Sequence, residues 1–134
     1  MTKIIDIEGI GSTYAKKLSA VGIKSVEMLL KRGATPKERE EIAKKTGLGH
    51  KEILEWINRA DLYRIKGIGS EYSDLLEVAG VDTVVELSKR DAKNLMLRMT
   101  EANTKRKIVR RLPTEKQVAN WISQAKRLPR AVSY

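Results

Sequence analysis

The chain has 134 residues, with 27 Lys or Arg against 17 Asp or Glu and a formal net charge of +10. It has no Cys and a single His, His50, which excludes disulfides, thiolate metal sites, His-based metal sites and a Ser-His-Asp triad. No apolar run approaches the roughly 18 residues of a membrane span, and the N-terminus shows no signal peptide; an intracellular, soluble protein, monomeric by default, is the expectation.

Apolar residues make up 41% of the chain and aromatics 4%, with no Phe. A packed core must therefore come from Leu, Ile, Val, Ala and Met. The positive balance suits a polyanion partner, although net charge speaks to nonspecific binding and not to fold.

Met1 to Ile7 is apolar-rich and reads as a short helix or an extended lead-in. It leads to Ile7-Glu8-Gly9-Ile10-Gly11-Ser12-Thr13-Tyr14-Ala15-Lys16-Lys17-Leu18. A Gly-Ile-Gly turn suits positive φ at its first glycine and a close backbone approach at its second. Ser12 is the expected N-cap of a helix to about Ala20, with Tyr14, Ala15, Leu18 and Val21 on its apolar face. Gly22 fits the C′ position. Ser25 is expected to cap a helix over Val26 to Arg32. Thr35-Pro36-Lys37-Glu38 is a further start signal, with a capping Thr, Pro at the first helical position and Glu three residues on. That helix should reach about Lys45. Another should run from Gly49 or His50 to about Asp61, burying Ile53, Leu54, Trp56, Ile57 and Ala60.

The plan then repeats. Ile65-Lys66-Gly67-Ile68-Gly69-Ser70-Glu71-Tyr72-Ser73-Asp74-Leu75-Leu76 returns 58 residues after the first turn. Ser70 is the expected cap of a helix through Ala79, and Thr83 of one over Val84 to Arg90. A helix from Asp91 or Ala92 through Ala102, interrupted near Asn103-Thr104, should be followed by one over Lys105 to Leu112. Thr114 and Gln117 form a capping-box pattern for a last helix to about Leu128, and Arg130 to Tyr134 reads as a short tail. Gly22-Ile23, Val26, Leu29 and Arg32 match Gly80-Val81, Val84, Leu87 and Arg90; Trp56 to Ala60 matches Trp121 to Ala125 with seven residues added. A duplicated unit of about sixty residues follows, bounded as 1–62 and 63–134, each with four to five helices. Nothing alternates in the manner of a sheet.

The pattern Ile-x-Gly-Ile-Gly-x-x-x-Ala-x-x-Leu over Ile7 to Leu18 resembles the helix-hairpin-helix motif, and Ile65 to Leu76 departs from it only by Ser73. The chain also resembles a family of short prokaryotic proteins carrying two such repeats and described only as a domain of unknown function. The resemblance implies an all-α fold of two tandem helix-hairpin-helix repeats and contact with a DNA or RNA backbone, DNA ahead of RNA. It implies phosphate binding by backbone N–H groups, and in the wider superfamily a monovalent cation sometimes sits on the hairpin carbonyls; no other cofactor is expected. Carried to this chain, the first site is Gly9, Gly11, Ser12 and Thr13 with Lys16 and Lys17 behind, and the second is Gly67, Gly69, Ser70 and Glu71. Lys66, in place of Glu8, is a cation on which the second site can rely.

The copies diverge. Glu71 replaces Thr13, Asp74 replaces Lys16 and Leu75 replaces Lys17. A carboxylate near a helix start favours the helix dipole but repels phosphate. The densest basic run, Lys105-Arg106-Lys107 with Arg110 and Arg111, is then a second candidate contact for the same polyanion. Residues 63–134 carry a net +7 and residues 1–62 a net +3. A protein-docking role for the helical units, with a protein partner and no nucleic acid, is the competing reading; no nucleophile–base pair, metal cluster or P-loop points to an enzyme. Trp56 and Trp121 read as core residues, Tyr14 and Tyr72 as packing partly in the core, and His50 as a surface residue.

Overall fold

The computed structural model describes residues 3–7 and 9–134. Among them the protein is all-α, with eight α-helices and no strand beyond an isolated bridge between Lys3 and Ser25. Two compact units form, one from Met1–Asp61 with Arg130–Tyr134 and one from Leu62–Pro129. No helix among the described residues is long and apolar enough to cross a membrane.

The first unit opens on a 3-10 turn at Ile4–Asp6 and continues through α1 (Gly11–Ala20), α2 (Val26–Arg32), α3 (Pro36–Thr46) and α4 (His50–Leu62). Local chemistry sets most of these bounds. The Ser25 Oγ accepts from the Met28 N–H at 3.1 Å and starts α2. Thr35 does the same for the Glu38 N–H at 3.2 Å, and Pro36 occupies the first turn of α3. Gly47 closes α3 at φ +75, a left-handed cap that strains any residue with a Cβ. Ile7, Ile10, Leu18, Ile23, Leu29, Ile53 and Ile57 are almost fully buried. Gly33 packs so tightly that a Cβ there would collide with Ile57 Cδ1.

The sequence assigns Arg130 to Tyr134 to the second repeat as a tail; the structure builds it into the first unit. The Ser133 N–H donates to the Ala34 carbonyl at 2.8 Å, and the Tyr134 hydroxyl donates to Asn58 Oδ1 at 2.8 Å. Val132 is 3% exposed. Arg39 is the clasp. Its Nη1 donates to the Gly33 carbonyl at 2.8 Å and its Nη2 to the Ser133 carbonyl at 2.7 Å, with the guanidinium 5.7 Å from the Tyr134 ring centre. Desolvation lowers this arginine's pKa, while its position beside Tyr134 and Glu38 opposes that shift. Arg39→Ala should cost the first unit about 2–4 kcal/mol, because two charge-assisted bonds go and the buried Gly33 carbonyl is left without its donor. Chemical denaturation measures the loss, and faster proteolysis after Arg130 should accompany it.

The second unit contains α5 (Ser70–Val78), α6 (Val84–Ser88), α7 (Ala92–Lys105) and α8 (Glu115–Arg127). Thr83, Asp91 and Thr114 cap the last three, and Thr114 with Gln117 forms a complete capping box. The core joins Ile65, Ile68, Leu75, Leu76, Val81, Val84, Leu87, Leu95, Met99, Val118 and Trp121. The positions that repeat in sequence repeat in burial: Leu18 and Leu76, Ile23 and Val81, Leu29 and Leu87 are all 0% exposed. Arg32 donates to the Val21 carbonyl at 3.1 Å, and Arg90 to the Gly80 carbonyl at 3.0 Å. Each arginine thus satisfies the C-terminal end of the preceding helix.

Two expectations are corrected. Helix α7 runs through Asn103 and Thr104 to Lys105, and no helix forms over Lys105 to Leu112. The Asn103 side chain offers the backbone a better partner than a helical ladder would. Its Oδ1 accepts from the Ile108 N–H at 2.7 Å and the Val109 N–H at 3.0 Å, and its Nδ2 donates to the Val109 carbonyl at 3.2 Å. Pro113 also disfavours helical backbone at Leu112. Secondly, Ser12 and Ser70 are not N-caps. Helix α1 begins at Gly11 after Ile10, α5 begins at Ser70 after Gly69, and neither start has a side-chain cap. The glycine turns bring the chain directly into the helix, so each serine already lies in the first turn.

Candidate nucleic-acid interface

Both turns use their first glycine at positive φ, +92 at Gly9 and +102 at Gly67. In each, the middle isoleucine is buried, Ile10 at 2% exposed and Ile68 at 5%. Burial of that side chain turns the flanking backbone outward. Gly9, Gly11, Ser12, Thr13, Lys16 and Lys17 are exposed; so are Lys66, Gly67 and Gly69, and Ser70 is half-buried. Glu8, the counterpart of Lys66, lies outside the described residues.

The helix starts beyond the turns are electrostatically distinct. Five helices carry a Ser, Thr or Asp side chain that accepts from their first turn: α2, α3, α6, α7 and α8. Helices α1 and α5 do not. The N–H groups of Gly11, Ser12 and Thr13, and of Gly69, Ser70 and Glu71, have no acceptor among the described residues. Such groups carry the positive end of the helix dipole and accommodate an anion.

A tryptophan backs each turn. Trp56 in α4 lies beneath Gly9, where an added Cβ would meet Nε1 at 3.7 Å. Trp121 in α8 lies closer beneath Gly67, at 2.9 Å. Tyr14 packs on Trp56 and Tyr72 on Trp121, each with ring centres 5.2 Å apart. Both indoles are buried, which makes them supports for the turns and not platforms for bases. The second turn is clamped further. Lys66 N–H donates to Gln124 Oε1 at 2.9 Å, and Gln124 Nε2 returns to the Lys66 carbonyl at 3.1 Å. The Lys66 amide is therefore committed, and this residue offers its ammonium alone. Gln124 sits where the first unit has the buried Arg59, and sequence matching paired the two without disclosing the clamp.

Lys105, Arg106, Lys107, Arg110 and Arg111 are all exposed, on the end of α7 and the loop after it. Their side chains, with those of Lys16, Lys17 and Lys66, make no hydrogen bond or ion pair among the described residues. The end of the basic run is tied to the helix that follows the second turn: the Tyr72 hydroxyl donates to the Arg111 carbonyl at 3.2 Å. Sequence reading missed Asn103 and Gln124, both plain polar residues whose partners emerge only in three dimensions. No group of three or more His, Asp or Glu that could hold a metal occurs among the described residues.

These features define an all-α protein whose two helical units each present a glycine turn and an uncapped helix start. The chain belongs to the family described as Domain of unknown function (DUF4332), whose model matches residues 8–128. No curated protein and no solved structure matches it.

Proposed function

We propose that this is a tandem helix-hairpin-helix protein that binds nucleic acid through the backbone and without sequence preference, duplex DNA ahead of RNA. One observation carries the reading: the helices that follow the two glycine turns lack the side-chain cap that five other helices possess. Open N–H groups at an exposed turn, with uncommitted cations nearby, suit phosphate. The first site comprises Gly9, Gly11, Ser12 and Thr13, with Lys16 and Lys17 one turn further on. The second comprises Gly67, Gly69 and Ser70, with Lys66. Affinity comes from amides and cations, so counterions are released on binding.

Neutralising about four to six phosphates gives a slope of log K against log salt near −4 to −5. Titration of a labelled duplex across a range of salt measures it, and a flat response overturns the reading. The exposed Glu71 and the half-buried Asp74 on α5 favour the alternative of a protein-docking module. A defined protein captured by the chain, with no shift of duplex or RNA at low salt, would establish that alternative.

A further inference from the structure

Residues 106–112 follow α7 as irregular chain, yet the basic run is held on both sides. Asn103 makes three hydrogen bonds to the backbone of Ile108 and Val109. Val109 is 2% exposed and anchors the loop in the core, and Pro113 is buried behind it. Tyr72 holds the Arg111 carbonyl as well. A run of like charges lowers its self-repulsion by spreading into solvent. Here the backbone is prevented from doing so, while the cationic heads stay uncommitted among the described residues.

The anchor matters as much as the loop. Tyr72 is the third residue of α5; it packs on Trp121, whose indole lies against Gly67. One unbroken set of contacts therefore links the second glycine turn to the basic loop. On α5 itself, Glu71 and Asp74 stand where α1 has Thr13 and Lys16. In the first unit the equivalent Tyr14 is 38% exposed.

We propose that the loop and the second glycine turn form one composite surface for the phosphate backbone of duplex DNA. The loop's cations replace the lysines that α5 lacks, and Asn103 is the positioning residue that fixes where Arg110 and Arg111 stand. The proposal rests on the nucleic-acid reading and adds to it a specific second surface and the residue that shapes it.

The test uses the full chain and a short labelled DNA duplex. Asn103→Ala and Tyr72→Phe leave the charge unchanged, so a simple count of cations predicts no effect. Each should weaken binding about threefold to tenfold, and Asn103→Ala should add nothing in a background of Arg110→Ala with Arg111→Ala. Equal losses in both backgrounds would mean that Asn103 acts on the fold alone, and would overturn its positioning role. Unchanged affinity in Tyr72→Phe and Asn103→Ala, or in the double arginine variant, overturns the composite surface while leaving duplex binding by the first unit intact. Failure of the wild-type chain to bind duplex at all removes the nucleic-acid reading, and the composite surface goes with it.

Discussion

Trp121→Ala should lower the stability of the second unit by about 3–5 kcal/mol, the range for deleting a large aromatic from a packed core. The indole is 2% exposed and sits among Val118, Ile122 and Ala125 of its own helix. It also supports the second glycine turn from below and packs against Tyr72. Truncation leaves a cavity under Gly67 and releases Tyr72, so the turn and the adjoining loop lose their floor together. Trp56 then remains as the sole tryptophan and reports on the first unit by fluorescence. The chain forms two compact units, so the loss is read on the second unit by itself. Hydrogen exchange followed peptide by peptide should show faster exchange over residues 65–80 and little change over residues 11–32. A loss below about 1 kcal/mol would contradict a core role for this side chain.

Reversing Lys105, Arg106, Arg110 and Arg111 to Glu should reduce duplex affinity by at least about 100-fold near 0.1 M salt, and should flatten the salt dependence. The chain would still be net positive, since four reversals take +10 to +2. A control with the same net charge separates position from total. Lys37, Lys44, Lys45 and Lys93 are exposed cations remote in sequence from either turn. Their reversal to Glu should change affinity less than about tenfold if binding is local rather than a response to overall charge. Equal losses in the two variants would defeat the site assignment. Lys16→Glu with Lys17→Glu should give an intermediate loss of about tenfold, because two contacts and not four are removed.

The parts of the fold legible in the sequence were those written over three or four residues. Ser25, Thr35-Pro36, Thr83 and Thr114 with Gln117 announce helix starts because a cap is a contact with the next turn. The glycine turns were legible because positive φ leaves few residue choices, and Leu18 and Leu76 betrayed the repeated burial. The basic loop was not. Its apolar spacing at Ile108, Val109 and Leu112 fits a helix, but Asn103 captures the backbone five and six residues ahead of it. The arginine clasp on the tail spans 94 residues, and the Gln124 clamp on Lys66 spans 58. No local pattern encodes either. At the candidate site, the exposed glycines and lysines followed from motif alone, whereas the Tyr72 link between turn and loop required the fold.

The clasped tail has a further consequence for how the protein reaches its native state. Ala34 and Ser133 lie 99 residues apart, so their pairing closes a long loop at considerable entropic expense. Within the second unit, however, the Arg64 Nη2 donates to the Pro129 carbonyl at 2.6 Å and draws the two ends of that unit together. Once that unit has formed, the untethered path between the two parts of the first shrinks from most of the chain to a few residues at each junction. Residues 62–129 thus act as an internal splint, and their folding raises the local concentration of the tail at its berth. The halves are therefore coupled through connectivity: excising residues 1–61 by a cut at the repeat boundary would discard the strap that completes them.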